Sequence, residues 1–256
     1  MKLMPSTNPC PEEDLIKYCK ALSKLNVTFM HCDVMDGRFV ENKCLELDKI
    51  KQIRDNVNIG LDIHLMVEDS VEYVKRCIEL KPNFVTIHYE SPKSIKEIET
   101  IIHMLHKKGI LCGMSIKPNT PISMLEPFIR SLDMVLIMTV EPGKSGQTFI
   151  EGSMDRIREA KALIDRLNHF CKLEVDGGIT EGRLENLRKA GVDYVEFSVN
   201  SPAEVKKKDI LDKIYYVDDN GVEYWHGEPI ESKEATIEEQ EEIGRILESF
   251  REKEEI

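Results

Sequence analysis

Eight short apolar runs, separated by amphipathic stretches, constrain this 256-residue chain more than any other feature. The runs are Lys2–Met4, Val27–Met35, Gly60–Val67, Phe84–His88, Ile110–Ile116, Met134–Val140, Leu173–Asp176 and Tyr194–Phe197. Each is short enough for a strand and too short for a globular helix. Between most of them apolar residues recur at helical spacing, over Glu12–Leu25, Val71–Leu80, Lys96–Lys107, Met154–Leu167 and Glu181–Ala190. Strands alternating with helices form βαβ units and a parallel sheet. Eight such units predict an α/β fold closed as a (β/α)8 TIM barrel, for which this length is ordinary. An open doubly wound sheet is the alternative.

The barrel pattern ends near residue 200, and the chain reads as a single domain, 1–256, with 201–256 a divergent C-terminal segment. Val217 to Trp225 reads as a hairpin, about 215–225, with Asn220-Gly221 as a two-residue type I′ turn. A helix is expected over about 237–251, where Ile237, Ile243, Ile246, Leu247 and Phe250 share a face. It reads as the eighth barrel helix displaced by the hairpin, or else as a partner-binding tail.

Charge narrows the function classes. A net charge of -12 disfavours nucleic acid or an anionic membrane as the main partner, but not a small phosphorylated substrate in a local pocket. No run approaches the ~18 apolar residues of a membrane span, and no signal-like segment opens the sequence. The seven cysteines form no CxxC pair, which fits reduced thiols in the cytoplasm better than disulfides or a zinc–thiolate site.

In a barrel the chemistry sits where strands end, and polar residues facing inward there need explaining. Side chains two apart share a face of a strand. His31, Asp33 and Met35 therefore point one way in the second run, and Asp62, His64 and Met66 in the third. The seventh ends Glu174-Val175-Asp176-Gly177-Gly178. Two imidazoles and two carboxylates can thus meet, a donor set that suits zinc, iron, manganese or cobalt. Taken singly, each histidine reads as a hydrogen-bonded core residue and each aspartate as a helix cap. The combination on adjacent strands is what makes a site. His88, at the end of the fourth run, reads as either a pocket or an edge residue. The Gly-bearing segment Val140–Gln147 and the Gly177-Gly178 pair can offer backbone N–H groups to an anion.

These residues resemble the ribulose-phosphate 3-epimerase family. The likeness rests on His31-Cys-Asp-Val-Met-Asp-Gly-Arg-Phe-Val40, Leu61-Asp-Ile-His-Leu-Met66, Met138-Thr-Val-Glu-Pro-Gly143 with Gly146-Gln147, Glu174-Val-Asp-Gly-Gly-Ile179, and the opening Pro5-Ser6. It covers roughly residues 2 to 200, in the family's order. The resemblance implies one divalent metal ion held by His31, Asp33, His64 and Asp176, with Asp33 and Asp176 also the acid/base pair. It implies a substrate-contacting Ser6, a methionine wall of Met35, Met66 and Met138, and phosphate-binding backbone at Gly146, Gly177 and Gly178; Gly143, Lys144, Gln147 and Ser198 beside them are further candidate substrate contacts. The expected reaction inverts C3 of a ketose phosphate, D-ribulose 5-phosphate to D-xylulose 5-phosphate, in a homo-oligomer.

Three stretches depart from the family pattern. Gly143-Lys144-Ser145-Gly146-Gln147 stands where the family shows a Gly-Phe-Gly-Gly-Gln type loop, Glu196-Phe197-Ser198-Val199-Asn200 stands where its last strand runs into Gly-Ser, and Thr7-Asn8-Pro9-Cys10 follows the opening serine. They leave open a 3-epimerase for another ketose or ketose phosphate, of the allulose 6-phosphate type. An idle barrel acting as a partner-binding protein is the alternative from another class. A metal-assisted hydrolase fits poorly, because a methionine-lined pocket does not suit an activated water.

Overall fold

The computed structural model describes residues 1–8, 10, 14–24, 28–197, 215–217, 223–225 and 228–229. The apolar runs are strands β1 (Lys2–Pro5), β2 (Phe29–Asp36), β4 (Gly60–Met66), β5 (Phe84–His88), β6 (Leu111–Ile116), β7 (Met134–Met138), β8 (Lys172–Asp176) and β9 (Tyr194–Phe197), and a two-residue strand β3 (Lys43–Cys44) lies antiparallel against β2. The other strands run parallel in the order β1-β9-β8-β7-β6-β5-β4-β2. The two ends of that order meet, since Ser6 bridges His31 in parallel and the Thr7 N–H donates to the His31 carbonyl at 3.0 Å. The sheet is therefore a (β/α)8 barrel rather than an open doubly wound sheet, and all its strands end at one mouth.

Helices α1 (Leu15–Lys24), α2 (Leu47–Asn56), α3 (Ser70–Leu80), α4 (Ile95–His106), α5 (Ser153–Leu167) and α6 (Glu181–Lys189) pack outside the strands. Helix α4 shows why these segments fold as they do. Ser94 caps it by accepting from the Glu97 N–H at 3.2 Å, and Ile98, Ile101, Ile102 and Leu105 form its buried stripe. Each such side chain contributes roughly 1.5–3 kcal/mol relative to exposure, so a charge at Ile101, which is fully buried, would break the seat. Helix α2 is not among the periodic stretches read from the sequence, because only Leu47, Ile50 and Ile53 are buried in an otherwise polar segment. Between β6 and β7 two 3₁₀ turns, Ile122–Leu125 and Ile129–Ser131, replace a helix, in a segment that Pro118 and Pro121 interrupt. No helix among the described residues is long and apolar enough to cross a membrane.

Beyond the barrel, β10 (Tyr215–Val217), β11 (Glu223–Trp225) and β12 (Glu228–Pro229) form a small antiparallel sheet. Val217 pairs with Glu223. A two-residue Asn220-Gly221 turn would set Val217 opposite Tyr224, so the register is one residue out of step with that expectation. The connection itself, 218–222, and the helix expected over 237–251 lie outside the described residues.

Candidate active site

Strand register brings the polar residues together. Asp33 sits opposite His64 across β2 and β4, His31 opposite Asp62, and Met138 opposite Asp176 across β7 and β8. One donor atom from each of His31, Asp33, His64 and Asp176 lies within 4.8 Å of every other, and all four residues are buried. His64 Nδ1 is 2.9 Å from Asp33 Oδ1 and 3.8 Å from Asp176 Oδ2, and His31 Nε2 is 3.2 Å from Asp33 Oδ1.

The outward nitrogens of the two imidazoles are also engaged. His31 Nδ1 is 2.7 Å from Asp62 Oδ2, and both side chains are fully buried. With the proton on Nδ1 donated to Asp62, the Nε2 lone pair faces the centre. His64 Nε2 is 3.0 Å from His88 Nε2, and His88 Nδ1 is 3.3 Å from Glu90 Oε2. One proton arrangement satisfies this chain: His88 donates to Glu90, His64 donates to His88, and His64 Nδ1 turns its lone pair inward. Glu90 is fixed in turn by the Lys117 N–H at 2.8 Å and by the Thr120 hydroxyl. Metal-ligating histidines adopt this arrangement, one nitrogen inward and the other tied to an outer acceptor. Two imidazoles and two carboxyl groups, all within reach of one point, fit a divalent ion.

The proton affinities of the carboxylates are pushed apart. Burial would raise Asp33, but His31 and His64 pull it well below the usual carboxylate range. Asp176 moves up, through burial and then the charge of Asp33. Burial opposes protonation of His31, yet Asp33 and Asp62 hold it well above its ordinary value. Glu174 lies 3.3 Å from His31 Nδ1 and is pushed up to about 8 by burial and by Asp62. His88 falls to about 4 because burial disfavours its charged form. Two neighbouring carboxyls with separated affinities can divide the roles of proton acceptor and proton donor.

A cleft opens over this cluster, lined by Asp33 and Asp176, by the methionines, by the 140–147 segment and by Gly177, Gly178, Asn8 and Glu196. Met35 and Met66 pack with Val40, and Met138 with Leu136 and Val140, in two small clusters separate from the main core. These methionines therefore wall the cleft rather than fill the barrel interior. The loop expected to face phosphate is tightly folded. Gly143, Gly146, Gly177 and Gly178 all have positive φ, and a Cβ on Gly178 would lie 2.4 Å from the Phe149 backbone nitrogen. Gln147 turns its amide back onto the Glu141 and Lys144 carbonyls, at 2.6 and 2.8 Å. The Lys144 ammonium is 3.8 Å from Glu41 in an exposed pair. Ser6 is fully buried, accepts from the Asn8 N–H at 3.2 Å and does not line the cleft. Ser198 lies outside the described residues.

Sequence reasoning passed over several residues that surround this centre. Asp62 was visible as sharing a face with His64, but its tie to His31 needs the cross-strand register. His88 carried an ambiguous signal, and Glu90 none. Asn8, whose side-chain amide donates to Asp33 Oδ2 at 2.5 Å, stands in a stretch noted only as divergent. Glu174 was legible by parity with Asp176.

Comparisons with known proteins agree with the geometry. The model of the ribulose-phosphate 3 epimerase family matches residues 2–199. Ribulose-phosphate 3-epimerase of Aquifex aeolicus is 36% identical, over 65% of this chain and 73% of its own. The Helicobacter pylori protein of that name is 33% identical over 76% and 88%, and the Schizosaccharomyces pombe one 32% over 80% and 90%. Among solved structures, the tryptophan synthase α-subunit of Pyrococcus furiosus superposes with a TM-score of 0.60 at 12% identity, covering 83% of this chain and 94% of its own. At that identity it bears on the barrel fold alone.

Proposed function

The chain belongs to the ribulose-phosphate 3-epimerase family and is an epimerase, and on that premise we propose that it inverts C3 of D-ribulose 5-phosphate to give D-xylulose 5-phosphate. The observation that carries the reading is the meeting of His31, Asp33, His64 and Asp176 at the barrel mouth, with two carboxyls of opposite proton affinity. Epimerisation removes the proton on the carbon beside a ketone and returns one to the opposite face. Asp33, whose proton affinity is lowered, takes the C3 proton in one direction, and Asp176, whose proton affinity is raised, supplies a proton from the other side. The roles exchange for the other epimer. Positioned proton transfer of this kind is worth about 10²–10⁴-fold.

A divalent ion held by His31 Nε2, His64 Nδ1, Asp33 and Asp176 would supply Lewis-acid stabilisation of the charge that develops on the ketone oxygen. Zinc, iron, manganese and cobalt all suit this donor set. Met35, Met66 and Met138 keep the cleft wall apolar and polarisable, so water does not compete for the proton. The backbone N–H groups of the Gly143–Gln147 and Gly177–Gly178 turns face the anionic end of the sugar.

The test is solvent exchange. Metal-loaded protein and D-ribulose 5-phosphate in D₂O should give deuterium at C3 together with D-xylulose 5-phosphate. Asp176→Asn should lower the rate by at least about 10²-fold, and unchanged turnover in that variant would refute the assignment. Allulose 6-phosphate is the second substrate to include, because the sequence departs from the family pattern at 143–147 and 196–200.

A further inference from the structure

Glu196 is a side chain this chemistry leaves without a task. It lies on β9, opposite Met4, is 3% exposed and lines the same cleft as Asp33 and Asp176. Its carboxyl shares a hydrogen bond with Asp176. Its Oε1 is buried and has no hydrogen-bond partner among the described residues. A buried acceptor without a donor costs about 1–3 kcal/mol, and in a binding cleft the missing donor is a group the ligand brings. That group is not the phosphate, whose oxygens are anionic acceptors and whose place is against backbone N–H groups. The donors a ketose phosphate carries are hydroxyls. The carbonyl at C2 takes up the developing charge and the C3 hydroxyl sits on the carbon that is inverted, which leaves the hydroxyls at C1 and C4.

We propose that Glu196 is a specificity-determining residue whose Oε1 accepts a hydrogen bond from a non-reacting hydroxyl of the ketose, at C1 or C4. The inference rests on the epimerase reading and adds to it the orientation of the sugar: phosphate toward the glycine turns, hydroxyl toward β9. The site then selects a polyhydroxy ketone by its pattern of hydroxyls as well as by its phosphate.

A cycle between protein and substrate tests this. Metal-loaded wild type, Glu196→Gln, Glu196→Met and Glu196→Ala are compared on D-ribulose 5-phosphate and on its 1-deoxy and 4-deoxy analogues, by C3 exchange and by equilibrium binding. In wild type, removal of one of the two hydroxyls should lower kcat/KM by about 10- to 100-fold. In the Met and Ala variants the natural substrate should fall by a similar factor, and the same deoxygenation should then cost less than about threefold. Glu196→Gln, which keeps a carbonyl acceptor of the same shape, should retain part of the discrimination. If deoxygenation costs the same in every protein, to within twofold, Oε1 faces water and the proposal is overturned. Should neither apolar variant fold, the analogues decide on wild type: if neither deoxygenation lowers kcat/KM by more than twofold, the proposal is overturned. Binding without C3 exchange would refute the activity and leave the binding cycle to judge Glu196. Absence of both with every ketose tested would sink the two together.

Discussion

Replacement of Asp62 by Asn separates the centre from its support. Asp62 Oδ2 accepts from His31 Nδ1 at 2.7 Å with both groups fully buried, so water cannot substitute for the bond. Asn keeps the shape and a carbonyl acceptor but loses the charge. A hydrogen bond to a charged partner contributes about 1.5–3 kcal/mol and a neutral one about 0.5–1.5. The difference, roughly 1–1.5 kcal/mol, makes His31 a poorer donor atom and should weaken divalent-ion affinity about tenfold. This agrees with the 10- to 100-fold typical of lost outer partners. Asp62→Ala strands the Nδ1–H altogether and should cost about 100-fold. The assay is competition against a chelator of known affinity, with circular dichroism to verify that the barrel is intact. At saturating ion, Asp62→Asn should recover most of its C3 exchange, because no reacting group has been touched. Affinity within twofold of wild type in both variants would refute the idea that Asp62 orients His31.

Acid sensitivity should follow from His88, whose pKa falls from 6.5 to about 4 on burial. Below pH about 6.5 the unfolded chain binds a proton the folded one refuses, so stability of the metal-free protein should drop as pH falls toward 4 and level off below it. About 2.5 units at 1.36 kcal/mol each gives roughly 3 kcal/mol. Urea titrations across this range should show that slope, and His88→Gln should flatten it; an equally steep slope in the variant would refute the assignment. Gly178→Ala places a Cβ 2.4 Å from backbone at a φ of +65, where neither atom can yield cheaply. It should cost at least about 2 kcal/mol and lower Tm by at least about 4 °C, with loss of exchange activity. A Tm within a degree of wild type would show that the 146–149 and 177–178 turns do not abut.

Much of the fold was legible because its signals are local. Alternation of apolar runs with 3.6-period stretches sets βαβ units, and each of the eight parallel strands falls within a few residues of its run, while the two-residue β3 falls in none. Strand parity likewise put His31 with Asp33 and His64 with Met66. Helix α2 was not singled out, because three apolar residues in a polar stretch make a weak periodic signal.

What the sequence alone determined is therefore the element order and which side chains face inward, both properties of one segment at a time. Only the closed barrel decided which inward-facing groups touch: Asp62 on His31, the Glu90–His88–His64 chain, Asn8 on Asp33 and Glu196 beside Asp176. Apart from Glu90 on His88, two positions apart, those contacts join residues 20 to 31 positions apart, through strand register and ring closure. No local pattern encodes them, because a hydrogen bond between strands depends on where the neighbouring strand starts.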